Sequence, residues 1–282
     1  MENERVTRWK SDYVLWAELF ALGNLAFLAL DIYIAHSENG FLRRAEFFPL
    51  YFSLASPVLL GAALLAREFG RMPKFWSISG FAVGLMSIAL GLAGVIYHLD
   101  SQFFYERTLR SLTYAAPFAA PLAYTGVGLL LLLNRLQPEP TTEWARWILF
   151  LALGGFLGNF VLSLTDHAEN GFFHWTEWLP VVSSAFAVGF LAVFFLVPAS
   201  LSYLKTCGLV VLLQAVVGVG GFFLHLVADI HGPSRSLFQN VVNGAPPFAP
   251  LLLPNLMVLS LIGLWVVGRA VRRENGGPTP LR

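Results

Sequence analysis

The sequence predicts an all-α, polytopic integral membrane protein of eight transmembrane helices, built as a tandem duplication of a four-helix unit. Three observations carry this reading: scarce charge, eight apolar runs of spanning length, and a pattern of polar residues that occurs twice. Of 282 residues, 56% are apolar and 12% charged. Soluble domains carry about 25% charged residues, so a shortfall near half decides the class. A crossing needs about 20 mostly apolar residues. Runs of that kind fall at roughly 13–34, 48–66, 76–98, 113–133, 147–166, 179–200, 206–227 and 248–268.

The first run contains Glu18, Asn24 and Asp31, which suits a retained helix better than the uniformly apolar core of a secretory signal. Prolines recur in the second, fourth and eighth runs, at Pro57, Pro117, Pro121, Pro250 and Pro254. Neighbouring helices re-satisfy the carbonyls that prolines free, so kinks rather than breaks are expected there.

Orientation follows from lysine and arginine. Arg5, Arg8, Lys10, Arg67, Arg71, Lys74, Arg135, Arg146, Lys205, Arg269, Arg272, Arg273 and Arg282 fall on one side, against Arg43, Arg44, Arg107, Arg110 and Arg235 on the other. The first side, with both termini, is therefore expected in the cytoplasm. All six histidines (His36, His98, His167, His174, His225 and His231) then map to the outer, periplasmic or extracellular, side. Acids including Asp31, Glu38, Glu46, Asp100, Asp166, Glu169, Glu177 and Asp229 accompany them. A net charge of +1 offers no basic field for nucleic acid. The expected partner is the lipid bilayer, with other membrane subunits as an alternative. Cys207 is the one cysteine, which excludes an internal disulfide framework and a cysteine-built metal site.

The duplication is read from a gapless pattern, H-x-E-N-G-F-x4-E-x2-P-x3-S. It runs from His36 through Glu38, Asn39, Gly40, Phe41, Glu46 and Pro49 to Ser53, and again from His167 through Glu169, Asn170, Gly171, Phe172, Glu177 and Pro180 to Ser184. Gly23, Asn24 and Asp31 answer Gly158, Asn159 and Asp166; Gly91, Gly94 and His98 answer Gly218, Gly221 and His225; Pro117-Phe118-Ala119 answers Pro247-Phe248-Ala249. The units are residues 1–140 and 141–282. An even number of spans in each implies a pseudo-twofold axis along the membrane normal. The first copy holds four extra residues, Ile32 to Ala35, about one helical turn.

Ionisable groups in a greasy chain are expected to face one another. That gives two candidate sites: His36, Glu38, Glu46 and His98, then His167, Glu169, Glu177 and His225. Histidine with carboxylate suits a divalent metal such as zinc, iron or manganese, with Asp31 orienting a ligand histidine. As a variant, His36 with His98 and His167 with His225 would serve as paired axial ligands to haem. The stripe of Gly91, Gly94 and His98 admits a close helix or a flat cofactor.

A plainer reading stands beside this one. Asn-Gly tolerates left-handed backbone at a helix end, and Glu46 and Glu177 favour the next helix's N-terminus, ahead of Pro49 and Pro180 in its first turn. Capping alone leaves His98 and His225 unexplained. In outline the arrangement is similar to duplicated four-helix haem-handling membrane proteins such as haem A synthase. That likeness rests on architecture, with no shared motif and no cysteine pair. Two other functions remain open: transport of a small solute, cation or proton along Asn24, Asp31, Asn159 and Asp166, and a non-catalytic role in a larger membrane complex. No G-x-S-x-G and no phosphate loop is present, so serine-nucleophile and nucleotide-loop chemistry find no support.

Overall fold

A computed structural model describes residues 12–70 and 72–276. Arg5, Arg8, Lys10, Arg71 and Arg282, part of the charge asymmetry, lie outside the described residues. The described chain is all-helical. Long helices α1 (Tyr13–Ser37), α2 (Phe47–Glu68) and α3 (Pro73–Leu99) lead to two short ones, α4 (Phe103–Glu106) and α5 (Leu109–Thr113), and then to α6 (Leu122–Leu136). After them come α7 (Thr142–Glu169), α8 (Trp178–Leu196), α9 (Leu201–Ile230), the short α10 (Leu237–Asn243) and α11 (Leu252–Glu274). Single 3-10 turns, Arg44–Glu46, Trp175–Glu177 and Ala249–Leu251, precede α2, α8 and α11. Counting those turns, seven helices among the described residues are long and apolar enough to cross a membrane.

The predicted span at 113–133 does not form as one helix. After α5 the chain turns through Pro117 and Pro121, and α6 begins at Leu122 with 15 residues, about 22 Å of rise against a hydrocarbon core of about 30 Å. Two prolines four apart remove two amide donors on one stripe and clash with the preceding turn, so the helix starts after them. Pro250 likewise sits in a 3-10 turn, and Pro254 is the third residue of α11, where no intrahelical donor is lost. Of the five prolines expected to kink spans, Pro57 is the one that lies beyond the first turn of a helix. The extra residues Ile32 to Ala35 extend α1 as a further helical turn.

α3 lies along α6, α9 along α11, and α1 and α7 pack against α2 and α8. Small residues set these distances. A Cβ on Gly94 would come within 2.6 Å of Pro121, and one on Gly221 within 2.9 Å of Pro250. The glycine stripe therefore receives a helix start rather than a flat cofactor. These contacts set Pro121 beside Pro250, one residue out of step with the expected match of Pro117 to Pro247.

Asn24 and Asn255 bridge the halves through reciprocal amide bonds of 3.2 and 2.6 Å. At the end of the bundle away from the His36 motif, Arg135 donates to Glu18 at 2.5 and 3.0 Å. Its Nε reaches the Trp76 carbonyl at 3.1 Å, with the guanidinium 3.8 Å over that indole. Asn134 donates to Glu18 at 2.8 Å and accepts from Trp144 at 3.0 Å. The Arg135 and Glu18 side chains are 0% and 3% exposed, so this network ties α1, α3, α6 and α7 without solvent screening. In sequence Arg135 counts among the charges of the cytoplasmic side, which does not foresee its burial.

Removing one partner of a buried ion pair strands the other, at a cost of about 3–5 kcal/mol. Arg135→Ala is expected to lower unfolding stability in detergent by that amount, and the double variant with Glu18→Ala by clearly less than the sum of the singles. Additive losses would mean that the two groups are not coupled.

Candidate functional site

The hairpin after α1 is shaped by two successive left-handed residues. Gly40 has φ 67° and Phe41 φ 53°; in the second half Gly171 has φ 72° and Phe172 φ 52°. Phe41 N–H donates to the His36 carbonyl at 3.0 Å, as Phe172 N–H does to that of His167 at 3.0 Å. Left-handed backbone costs a non-glycine residue about 1–2 kcal/mol, and here it turns the phenyl ring back onto the helix it leaves. Ring centroids are 5.8 Å apart for Phe41 and His36, and 6.1 Å for Phe172 and His167. Phe41 stacks in turn on Phe47 at 4.7 Å, and Phe172 on Trp178 at 3.9 Å. The asparagines are not the left-handed residues. Asn39 instead accepts the Phe41 N–H at 3.0 Å, and Asn170 has φ −84°.

The 3-10 turns then bring in Glu46 and Glu177, and each carboxylate divides its two oxygens. Oε1 closes the hairpin: Glu46 accepts from Asn39 Nδ2 at 3.3 Å, and Glu177 from the His174 N–H at 3.3 Å. Oε2 faces the imidazole, 3.6 Å from His36 Nδ1 and 3.8 Å from His167 Nδ1. These gaps exceed a hydrogen bond's usual 2.7–3.2 Å, and both Oε2 atoms are buried with no other partner. Capping and site chemistry are thus shared within one side chain.

His98 and His225 arrive at the ends of α3 and α9. His98 Nδ1 lies 2.9 Å from the Pro117 carbonyl and His225 Nδ1 lies 2.8 Å from that of Pro246. A carbonyl oxygen only accepts, so Nδ1 carries the proton and Nε2 of the neutral ring keeps its lone pair. The His36 and His98 rings stand 6.3 Å apart with planes at 76°, and the His167 and His225 rings 6.4 Å apart at 89°. Each half therefore holds two imidazoles nearly perpendicular, both backed at Nδ1 by an oxygen.

Of the predicted site residues, the structure brings together His36, Glu46 and His98, and separately His167, Glu177 and His225. Glu38 and Glu169 stand exposed at the ends of α1 and α7. Among the described residues, no group of three or more His, Cys, Asp or Glu side chains is gathered closely enough to hold a metal ion. The orienting role expected of Asp31 falls to Glu46 and to the Pro117 carbonyl. His174 is exposed, and His231 turns its Nδ1 back to the Val227 carbonyl of its own helix at 2.9 Å. Phe41, Phe172 and the Pro117 and Pro246 carbonyls are site components that the sequence reading does not name, although Phe41, Phe172 and Pro117 stand in the repeated pattern.

Nitrogen-15 NMR of protein labelled at histidine is expected to show His98 and His225 as the Nδ1-protonated tautomer. The Nε2-protonated form at either position would contradict the backing described above.

No family model, curated protein or solved structure matches this chain.

Proposed function

We propose that this chain is a membrane haem protein with two bis-histidine sites, His36 with His98 and His167 with His225. The observation that carries the reading is the ring separation and its recurrence. Two imidazole nitrogens each about 2 Å from one metal put the ring centroids roughly 6 Å apart when they lie on opposite sides of it. A tetrahedral angle would draw them to roughly 5 Å. The observed 6.3 and 6.4 Å favour ligands on opposite sides, and two protein ligands suffice only where a macrocycle supplies the rest.

The donor chemistry fits. His98 and His225 present Nε2 because Nδ1 is held by a carbonyl. In His36 and His167, Nδ1 faces an otherwise unpartnered carboxylate oxygen, the arrangement that raises a ligand imidazole's basicity. When bound, haem would supply one-electron redox chemistry, and two axial histidines leave no open position for oxygen activation. The chain's own part is to hold Nε2 in place, to orient Nδ1 through Glu46, Glu177, Pro117 and Pro246, and to shield the ring edges with Phe41 and Phe172. Both sites sit at the same end of the helices, which suits electron transfer along one membrane face rather than across it.

The reading includes an eighth crossing, made by α6 together with the irregular segment through Pro117 and Pro121. It also includes a parallel duplication with the histidine end outward, as the lysine and arginine distribution implies. Irregular backbone at membrane depth is tolerated where protein covers it, and α3 does so here.

Protein expressed with haem available and purified in mild detergent is expected to show a Soret band, sharp α and β bands on reduction, and about two haems per chain, one for each histidine pair. His98→Ala and His225→Ala should each leave about one, and the double variant none. A folded wild-type chain that shows no Soret band and takes up no added haemin would sink the proposal.

A further inference from the structure

A second polar site lies beside the His225 region and is built from different residues. Where α9 gives way to α10, a cavity of about 380 Å³ is lined by Asp229, Ser234, Gln239, Asn240, Asn243 and Gly244 among others. Asp229 is 2% exposed; the Ala245 amide is directed at its carboxylate, yet neither oxygen makes a well-formed hydrogen bond. No lysine, arginine or histidine among the described residues lies within ion-pair reach of it, and His225, one turn earlier, has Nδ1 engaged with Pro246. One loosely held amide does not balance a buried carboxylate charge, which must either be lost or gain a cation.

The surroundings suit a cation. Asn240 is fixed by two bonds to Ser234, accepting from its N–H at 2.9 Å and donating to its carbonyl at 3.0 Å. Asn243 spends its Nδ2 on the Gln239 carbonyl at 2.8 Å, which leaves its Oδ1 free as a donor atom. Gly244 passes so close that a Cβ would lie 2.5 Å from Asp229 Oδ1, so only glycine lets the backbone cross there. Neither sulfur nor imidazole lines this cavity, and oxygen donors of mixed type select hard cations. Magnesium demands near-octahedral geometry and keeps its waters; calcium accepts carboxylate, amide and carbonyl oxygens in irregular arrays.

We infer that Asp229 and the α9–α10 loop form a calcium site. One carboxylate places it at the weak end of calcium affinities, about 10⁻⁴–10⁻³ M. Occupancy would tie down Gly244, two residues before the Pro246 carbonyl that orients His225. The first half has no counterpart: Asp100, after α3, lies 4.0 Å from Arg43, and both are well exposed.

The test is calorimetric titration of calcium chloride into chelator-stripped full-length protein in detergent. Expected are saturable binding of about one ion per chain in that range, magnesium at least about tenfold weaker, and a loss of about tenfold or more in Asp229→Asn, whose helical circular dichroism is unchanged. Should that variant fail to fold, Asn243→Ala at the rim is expected to weaken binding several-fold. No saturable binding by wild type up to about 10 mM calcium, with a raised melting temperature in Asp229→Asn, would mean a neutral buried acid and overturn the site. Unchanged affinity in Asp229→Asn, or equal affinity for magnesium, would overturn it as well.

Discussion

A proline lacks the amide that would bond the carbonyl four residues earlier. Pro121 and Pro250 therefore leave the Pro117 and Pro246 carbonyls with one short-range bond each, from Ala120 N–H at 3.1 Å and Ala249 N–H at 3.3 Å. The histidine end of this molecule depends on what takes the second lone pair. Pro117 and Pro246 both accept the Nδ1 proton of a histidine from a neighbouring long helix. The bond fills the carbonyl's second lone pair, fixes the tautomer and sets the ring plane together. Take away that carbonyl and the imidazole has no reason to keep its lone pair on Nε2.

The second imidazole of each pair is held by a different device with the same outcome. Strain in the Gly-Phe turn places a phenyl ring against His36 and His167, and the 3-10 turn returns a carboxylate to their Nδ1 side. Backbone strain of about 1–3 kcal/mol persists where surrounding contacts over-determine it. Here the stack on Phe47 or Trp178 and the hairpin bonds to Oε1 supply those contacts. Because the cost recurs in both halves at the same residues, it belongs with the imidazole pair rather than with chain reversal alone, which Asn-Gly would accomplish unaided.

Much of this was legible in the residues. Charge scarcity and run length gave the membrane class, and the spacing between His36 and Glu46 gave their approach, since a repeated interval implies a repeated geometry. The pairing of His36 with His98 was legible because both recur. What sequence did not carry was direction. Glu38 matches Glu169 as well as Glu46 matches Glu177, yet one pair ends exposed and the other buried. That difference is decided by two left-handed residues whose effect is invisible in composition. The fourth span was read too early in the chain, because apolar residues around Pro117 look like helix while their missing amides forbid it. Arg135 counts in sequence among the charges of the cytoplasmic side, and its burial depends on Glu18, distant along the chain. Asp229 reads in sequence as one more outer-side carboxylate without a repeat partner, and its burial in the last turn of α9 shows only in the structure.

The central claim is that two nearly perpendicular imidazoles in each half share one iron. Electron paramagnetic resonance of the oxidised, haem-loaded protein addresses it most directly. Perpendicular axial ring planes predict two low-spin ferric centres, both with strongly anisotropic signals, one vanishing with His98 and the other with His225. A high-spin ferric signal, or low-spin signals that survive loss of those histidines, would contradict it.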